Sequence, residues 1–326
     1  MSWLVTGGAG YIGAHVVRAL AAAGIDPVVV DDLSSGHAEF VPAGVPFVQG
    51  TILDRDLLVE TMRSHGVEGV IHVAGFKYAG VSVQRPLHTY EQNVEGTRAV
   101  LQAMADAGVS RIVFSSSAAV YGTPDAELVT EDLPKNPASP YGESKLIGEW
   151  LLRDQGVATA GSDAPLQHTS LRYFNVVGSS DPSVYDTSPH NLFPLVFEAL
   201  IDGRTPKIFG DDYSTPDGTN VRDYVHVGDI AAAHVVAAQR LSAGLPIEPA
   251  YNLGSQNGLS VKQIMDAMAR VTGIDFTPEI SPRRPGDPDR IVATGELAAR
   301  DLDWQNRYTV DEMVRTGWEA RQAARS

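Results

Sequence analysis

Short runs rich in valine and isoleucine alternate with amphipathic segments along the first 175 residues of this 326-residue chain. The apolar runs lie at residues 3–5, 27–30, 47–48, 70–73, 111–114 and 169–173. Helical patterns separate them, for example at residues 12–23, 54–65 and 89–107. Because apolar strands separated by helices are typical of parallel strands joined by right-handed crossovers, the sequence predicts an α/β fold with a doubly wound parallel sheet.

The amino-acid composition changes after residue 175. Proline, glycine, serine and aspartate become frequent, which is typical of loops that face a ligand. A strand and helix pattern returns between residues 223 and 254. We therefore expect a first domain of residues 1–175, rejoined by residues 223–254, and a smaller, interleaved C-terminal substrate-binding lobe of residues 176–222 and 255–326.

Charge and cysteine content exclude several kinds of partner. Lys and Arg number 25 against 40 Asp and Glu, a net charge of −15, so the surface repels polyphosphate and nucleic acid is not expected as a partner. The sequence has no run of about 20 apolar residues that could cross a membrane.

The chain lacks cysteine and its first residues predict a strand rather than a leader, so we expect a cytoplasmic location. The nine histidines lack metal-ligand spacing, and no metal is expected.

A glycine-rich turn joins the first predicted strand to the first predicted helix. It places Gly7, Gly10 and Gly13 in a G-x-x-G-x-x-G pattern. Such glycines allow a tight turn, a close approach of the backbone to a pyrophosphate, and close packing of the helix on the strand. The N–H groups of the helix N-terminus then face the anion. Between a strand and a helix, this pattern predicts a dinucleotide site rather than a flexible surface loop.

Two aspartates follow the second predicted strand. Asp31 lies 18 residues beyond Gly13, near the offset of about 20 residues at which a carboxylate reaches the adenosine ribose. Asp32 follows directly, and two carboxylates repel the 2′-phosphate of NADP. The pair therefore predicts NAD as the cofactor, although Asp32 alone is also consistent with a solvated turn.

Candidate catalytic residues follow the fifth predicted strand. Residues 115–117 are three serines, and Tyr141 and Lys145 come later in a predicted helix that Ser139 caps. Tyr141 and Lys145 are four residues apart and so share one helix face. A free phenol has a pKa of about 10, so a tyrosine base needs its pKa lowered by about 3 units. Lys145, the helix N-terminus and an oxidised nicotinamide could jointly lower it. The pair alone is also typical of an ordinary amphipathic surface helix.

The glycine turn, the serine cluster and the tyrosine/lysine helix, in this order, resemble the extended short-chain dehydrogenase/reductases. Further segments resemble the UDP-glucose 4-epimerase family within them, from Trp3 to about Trp318. These segments are residues 73–77, 115–122, 141–145, 171–175, 221–226, 251–254 and 283–287. The resemblance implies a Rossmann sheet, bound NAD, a UDP-sugar substrate, and a homodimer built on helices near residues 89–107 and 141–155.

The resemblance also assigns residues to the site. It implies that Ser117, Tyr141 and Lys145 are catalytic. The cofactor residues it implies are Gly7, Gly10, Tyr11, Ile12, Gly13, Asp31, Asp32, Ser35, Thr51, Ile52, Val73, Ala74, Gly75, Lys77, Asn93, Ser115, Tyr141, Lys145 and Phe174. The substrate residues it implies are Lys77, Ser117, Tyr141, Asn175, Asn191, Leu192, Lys207, Phe209, Arg222, Arg284, Asp287 and Ile291. For most of the substrate set, core packing or surface ion pairing is the alternative interpretation.

The sequence departs from the family at Thr51 and at Gln92, which precedes Asn93 where related chains often have two asparagines. Thr51 stands where the family often has an aspartate that contacts adenine, which leaves that contact open. Ile291 stands at the position whose bulk in the family limits the substituent at sugar C2. A mid-sized isoleucine therefore leaves the range of UDP-sugars open.

Residue types after the catalytic serine separate the possible reactions. Related dehydratases and decarboxylases carry carboxylates where this chain has Ala118 and Ala119, and alanine cannot transfer protons. With these reactions disfavoured, the resemblance implies an NAD-dependent UDP-glucose 4-epimerase that interconverts UDP-galactose and UDP-glucose through a 4-keto intermediate by reversible hydride transfer. The alternatives are a 4-epimerase of a UDP-N-acetylhexosamine, UDP-pentose or UDP-uronate and, in a different class, a non-catalytic dinucleotide sensor.

Overall fold

The computed structural model describes residues 1–284 and 287–325, so Pro285 and Gly286 of the predicted loop lie outside the described residues. The strands are β1 Ser2–Thr6, β2 Asp26–Asp31, β3 Phe47–Gln49, β4 Val67–His72, β5 Arg111–Ser117, β6 Gln167–Tyr173, β7 Asn175–Val177, β8 Lys207–Phe209, β9 Val221–Arg222, β10 Tyr224–His226, β11 Ala250–Leu253, β12 Leu259–Ser260, β13 Glu279–Ser281 and β14 Arg290–Ile291.

Helices connect most of these strands. They are α1 Tyr11–Ala22, α2 Arg55–Ser64, α3 Ala79–Gln84, α4 Pro86–Tyr90, α5 Gly96–Ala107, α6 Pro140–Thr159, α7 Leu192–Ile201, α8 Val227–Ser242, α9 Val261–Thr272, α10 Glu296–Leu302 and α11 Val310–Ala323. Short 3-10 helices span Ala38–Phe40 and Ala118–Tyr121, and a π-helical turn spans Glu91–Glu95 between α4 and α5. In the described ranges, no helix is long and apolar enough to cross a membrane.

The main sheet has seven strands in the order β11-β6-β5-β4-β1-β2-β3. All of its pairings are parallel. From β1 the chain adds β2 and β3 on one side and then β4, β5 and β6 on the other, so the strand order reverses between β1 and β4. In open α/β sheets, ligands bind at such a point, in the crevice outside the carboxyl ends of the strands. The predicted doubly wound parallel sheet is confirmed.

Helices cover both faces of this sheet. Side chains alternate between the faces along a strand, as β1 illustrates. Trp3 packs in a core with residues of α1 and α8, whereas Leu4 packs in a second core with residues of α2 and α5. Both side chains are fully buried. The near-continuous apolar strands of the sequence are thus explained by burial on both sides.

A third core lies outside the main sheet. It joins residues of α7, α9 and α11, among them Phe197, Met268 and Trp318. Small sheets accompany these helices, with β12-β9-β14 and β13-β8 among them. The return of the chain to the main sheet appears in β11, which pairs with β6 from Ala250 to Leu253. The predicted boundaries between the two lobes stay a prediction.

Candidate active site

A cavity of about 900 Å³ lies at the carboxyl ends of the main strands. It extends from the glycine turn after β1, past the start of α6, to the segments around β8 and β9. Every residue that the sequence assigned to cofactor or substrate lines it, except Thr51, Asn93, Ser115 and Ile291. The fold thus brings together residues that are far apart in the chain.

The glycine turn forms a tight cradle at one end of the cavity. Gly7 has a φ of 73°, and a Cβ atom on Gly13 would lie 2.0 Å from the Gly7 carbonyl oxygen. Gly10 is the N-cap of α1, and no side chain of the described residues caps this terminus. The Tyr11 hydroxyl donates to the Gly178 carbonyl oxygen at 2.6 Å. The backbone N–H groups of this turn are therefore the groups suited to hold an anion.

The two aspartates after β2 have different surroundings. The carboxylate of Asp31 is buried and accepts hydrogen bonds from the backbone N–H groups of Ala9 at 3.0 Å and Leu33 at 2.8 Å. Burial raises the pKa of Asp31, and these two N–H groups oppose the rise. Asp32 is exposed and accepts a hydrogen bond from the Ser34 N–H at 2.9 Å. Asp32 therefore forms a turn and also lines the cavity.

Two residues assigned to the cofactor form hydrogen bonds to neighbouring backbone. The Thr51 hydroxyl accepts a hydrogen bond from the Leu53 N–H at 3.2 Å. The Asn93 carboxamide accepts from the Phe76 N–H at 2.6 Å and donates to the Phe76 carbonyl at 3.0 Å. Asn93 also donates to the Ser144 hydroxyl at 2.8 Å. It therefore fixes the loop after β4 against the catalytic helix.

The predicted start of the catalytic helix is confirmed. Ser139 is the N-cap of α6 and accepts a hydrogen bond from the Gly142 N–H at 3.3 Å, and Pro140 is the first helical residue. Tyr141 and Ser117 both line the cavity. Lys145 is buried one turn further, and its Nζ donates to the Ser115 carbonyl oxygen at 2.9 Å. The three predicted catalytic side chains therefore meet at the cavity wall.

Burial dominates the protonation of this group. It lowers the pKa of Lys145 to about 8. It raises the pKa of Tyr141, and the hydrogen bond from Ser117 opposes the rise. The protein groups alone thus do not make the phenol acidic, contrary to what proximity of Lys145 and the helix N-terminus suggests by itself. A further positive charge beside Tyr141, such as an oxidised nicotinamide ring, would favour the phenolate.

Ser115 supports the site from behind the cavity wall. Its hydroxyl lies 2.9 Å from Nε2 of His234. The Nδ1 of His234 lies 2.8 Å from the Ile230 carbonyl. Tyr173 lines the cavity, and burial raises its pKa far above the usual range. The sequence interpretation missed Tyr173, although it directly precedes Phe174 in a segment that carries the resemblance.

The arginines assigned to the substrate also line the cavity, and we call this part of the lining the arginine wall. Arg222 forms an ion pair with Asp287 and donates to the Pro288 carbonyl at 2.7 Å. Asp287 also accepts a hydrogen bond from the Asn220 amide at 2.9 Å. The guanidinium of Arg284 lies 4.2 Å from the centre of the Phe209 ring. Two positive side chains and an aromatic ring thus line the same end of the cavity.

Other predicted substrate residues make contacts within the protein. The Asn191 amide donates to the Asp186 carboxylate at 2.8 Å, and the Asn175 amide donates to the Asp223 carbonyl at 3.1 Å. Lys207 is exposed and lies 3.3 Å from the Glu279 carboxylate. Ile291 is half-buried in β14, beside Arg222 in β9, and packs against a small core that includes Tyr121. Residues that line the cavity but were not predicted include Tyr78, Asp186, His190 and Asn220.

Comparison with known proteins assigns the family. Residues 3–254 match the model of the NAD dependent epimerase/dehydratase family. The UDP-glucose 4-epimerase of Lactobacillus helveticus is 42% identical over 324 residues, which cover 98% of this chain and 96% of that protein.

Two solved structures show the same fold over nearly the whole chain. One is a UDP-glucose 4-epimerase of Stenotrophomonas maltophila with bound NAD and a formylated UDP-arabinopyranose, at a TM-score of 0.93 and 39% identity, covering 100% of this chain and 99% of that one. The other is a UDP-glucose 4-epimerase of Bifidobacterium longum in complex with NAD⁺ and UDP, at a TM-score of 0.89 and 34% identity, covering 99% and 98%. This chain therefore belongs to the NAD dependent epimerase/dehydratase family.

Proposed function

We propose that the protein is a UDP-glucose 4-epimerase, which interconverts UDP-galactose and UDP-glucose with tightly bound NAD. One arrangement carries the proposal. Tyr141, Ser117 and Lys145 line the same cavity as the glycine cradle and the two arginines Arg222 and Arg284. The names and bound ligands of the relatives agree with this assignment.

The residues at the cradle end fit a dinucleotide. A Cβ atom on Gly7 would lie 2.7 Å from the Ala74 nitrogen, so only glycine lets this turn pack against the loop after β4. The turn at residues 7–13 would hold the pyrophosphate, and Asp31 and Asp32 would face the adenosine ribose. When bound, NAD would accept a hydride from the sugar C4 atom and return it.

The chain's own groups would handle the proton and the oxygen at C4. Tyr141 would remove the proton of the 4-hydroxyl group and give it back after the sugar has turned. Ser117 would donate a hydrogen bond to the 4-oxygen as its charge develops. Lys145 would stabilise the phenolate by its positive charge. Carboxylates that elimination requires are missing from positions 118 and 119, which are alanines.

The arginine wall would hold the nucleotide while the sugar turns. Arg222 and Arg284 are suited to the two phosphate groups of UDP, because guanidinium groups bind phosphate oxygens with paired hydrogen bonds. An anchored UDP leaves the sugar free to present either face to the cofactor. The substrate would thus be held at one end only.

The proposal is tested by incubating the purified protein with UDP-galactose without added NAD. We expect UDP-glucose to form, and we expect Tyr141→Phe to lower the turnover number by about 10²- to 10⁴-fold because the general base is lost. Tyr90→Phe is the matched control, since the Tyr90 hydroxyl bonds Glu143 outside the residues that line the cavity. Full activity of Tyr141→Phe would contradict the assignment, as would a protein that binds NAD and UDP-sugar without turnover, which would identify a sensor.

The range of sugars is a separate part of the proposal. Ile291 packs against a core and is not among the described residues that line the cavity, so it does not narrow the cavity by direct contact. A 4-epimerase that also accepts a UDP-N-acetylhexosamine, a UDP-pentose or a UDP-uronate is the second candidate. Turnover of these sugars beside UDP-galactose, in the wild type and in Ile291→Tyr, decides between the two.

We also propose a cytoplasmic homodimer. Exposed apolar side chains on α4 and α6 support the dimer: Leu87 is 83% exposed, Trp150 45% and Val157 75%. These helices lie in or next to the segments 89–107 and 141–155 on which the dimer is expected. The lack of cysteine is consistent with a reducing compartment. Light scattering of the purified protein measures the oligomeric state, and a monomer would contradict the dimer.

A further inference from the structure

Two aromatic rings that line the cavity contact each other. The ring centres of Tyr78 and His190 lie 5.0 Å apart at an interplanar angle of 75°, which is an edge-to-face arrangement. Tyr78 directly precedes α3, and His190 lies two residues before α7. Both side chains line the cavity. The contact therefore joins two walls that are 112 positions apart in the chain.

The contact ends a row of aromatic rings. Phe76 packs edge-to-face on His88 of α4 at 5.2 Å and on Tyr78 at 5.5 Å. The backbone of Phe76 is fixed by both polar atoms of the Asn93 carboxamide. The Tyr78 end of the row is thus anchored to α4 and to the π-helical turn, whereas His190 is exposed. The Tyr78 side of the contact is thus held by neighbouring groups, and the His190 side is exposed.

Each residue of the pair is adjacent in the chain to a residue that the sequence assigns to a ligand. Tyr78 follows Lys77, which the cofactor assignment includes, and His190 precedes Asn191, which the substrate assignment includes. Neither ring belongs to the buried core, and neither takes part in the proton transfer at C4. Their contact therefore has no evident role in folding or in the chemical step.

We propose that the Tyr78–His190 contact closes the cavity over the sugar and retains the 4-keto intermediate while it turns. This rests on the proposed function, because only a reaction with an unattached ketone in the cavity needs such retention. The contact must open for a UDP-sugar to enter and for the product to leave. Tyr78 and His190 are positioning residues in this proposal, since neither acts on the reacting atoms.

The strength of the contact sets the size of the effect. An edge-to-face aromatic pair contributes free energy equivalent to about a two- to twelvefold change in an equilibrium constant. Removal of either ring should therefore raise the rates at which a UDP-sugar enters and leaves by up to about this factor. If the contact merely added affinity, its removal would raise the dissociation rate and leave the association rate unchanged.

The first experiment measures binding without chemistry. In the Tyr141→Phe holoprotein, stopped-flow fluorescence gives the association and dissociation rates of UDP-glucose. Adding Tyr78→Ala or His190→Ala should raise both rates, and the double variant should add little, because each change breaks the same contact. Tyr78→Phe should keep the parent rates, since the ring remains. His65→Ala, an exposed histidine outside the cavity lining, is the control.

The second experiment measures how much of the 4-keto intermediate escapes from the cavity. With Tyr141 intact, borodeuteride added during turnover traps any 4-keto sugar in solution, and mass spectrometry counts it per turnover. We expect more release from Tyr78→Ala than from the wild type, again by about two- to twelvefold.

Three results would overturn the closure. They are unchanged binding rates in both alanine variants, an equal rise in Tyr78→Phe, and an unchanged yield of trapped ketone. A wild type without epimerase activity would instead refute the proposed function, while the binding rates would still test the closure. If Tyr78→Ala does not fold, His190→Ala at its exposed site still decides the matter.

Discussion

Lys145 donates a hydrogen bond from its Nζ to the backbone carbonyl oxygen of Ser115, at 2.9 Å. This bond joins the catalytic helix to the end of β5, two residues before Ser117. The ammonium is therefore held at a fixed place beside the strand end, and it cannot follow the sugar. A fixed positive charge lowers the free energy of a nearby phenolate without reorganising during the reaction.

Replacement of Lys145 by methionine should make Tyr141 a less effective general base. We expect Lys145→Met to lower the turnover number by about 10²-fold or more. Without the ammonium, the pKa of Tyr141 rises further, so the acidic limb of the pH–rate profile should move to higher pH. The profile of turnover number against pH, with UDP-galactose, measures both effects. A slower variant whose acidic limb stays in place would show that Lys145 acts only on structure.

A methyl group on Gly13 should destroy the cofactor cradle. Its Cβ atom would lie 2.0 Å from the Gly7 carbonyl oxygen, so the turn has to shift. We expect Gly13→Ala to lose bound NAD, measured as the nucleotide released on acid denaturation of the purified protein. Gly161→Ala is the matched control, because a Cβ there meets no atom within 4 Å. Normal NAD content in Gly13→Ala would argue against a pyrophosphate at this turn.

Acid should destabilise the protein through buried histidines. Burial lowers the pKa of His15, His226 and His234 to about 4 and that of His72 to about 3. The unfolded chain has histidine pKa values of about 6.5, so below that pH it binds more protons than the folded state. The free energy of unfolding should therefore fall by several kcal/mol between pH 7 and pH 5. Urea denaturation at the two pH values measures it, and equal midpoints would contradict the expectation.

Asp229 should act in the opposite direction. This buried residue accepts a hydrogen bond from the Arg307 N–H at 2.8 Å, and burial raises its pKa to about 6. Between pH of about 4 and 6 the folded state binds more protons than the unfolded state, so this contribution to stability falls as pH rises.

Asp229→Asn keeps an acceptor for the Arg307 N–H and removes the charge. We expect it to stabilise the protein at pH 7 by about 1 to 3 kcal/mol and to have little effect at pH 4. Chemical denaturation of the variant and the wild type at both pH values measures the difference. Destabilisation at pH 7 would show that the charge itself is needed.

Local patterns predicted much of the site. The glycine turn and the Ser139 cap depend on residues that are neighbours in the chain, so their sequence carries their geometry. The parallel sheet likewise follows from apolar runs separated by helices. These features need no knowledge of distant contacts.

Pairings between distant residues could not be predicted in this way. Ser115 is predicted to contact the cofactor, and the structure adds that its hydroxyl pairs with His234, which is 119 positions away. Asn93 uses its carboxamide on Phe76 and Ser144. A sequence shows which polar groups a chain has, and only the fold shows which of them already have partners. The Tyr78–His190 contact was missed for the same reason.

The position of β11 determines when the main sheet can be completed during synthesis of the chain. The edge of β6 is covered by residues 250–253, which the ribosome releases late. Until then, the growing chain exposes an unpaired strand edge that can bind another nascent chain. A fragment ending at residue 175 should therefore aggregate rather than fold as a free-standing nucleotide-binding unit, and the complete sheet can form only near the end of synthesis.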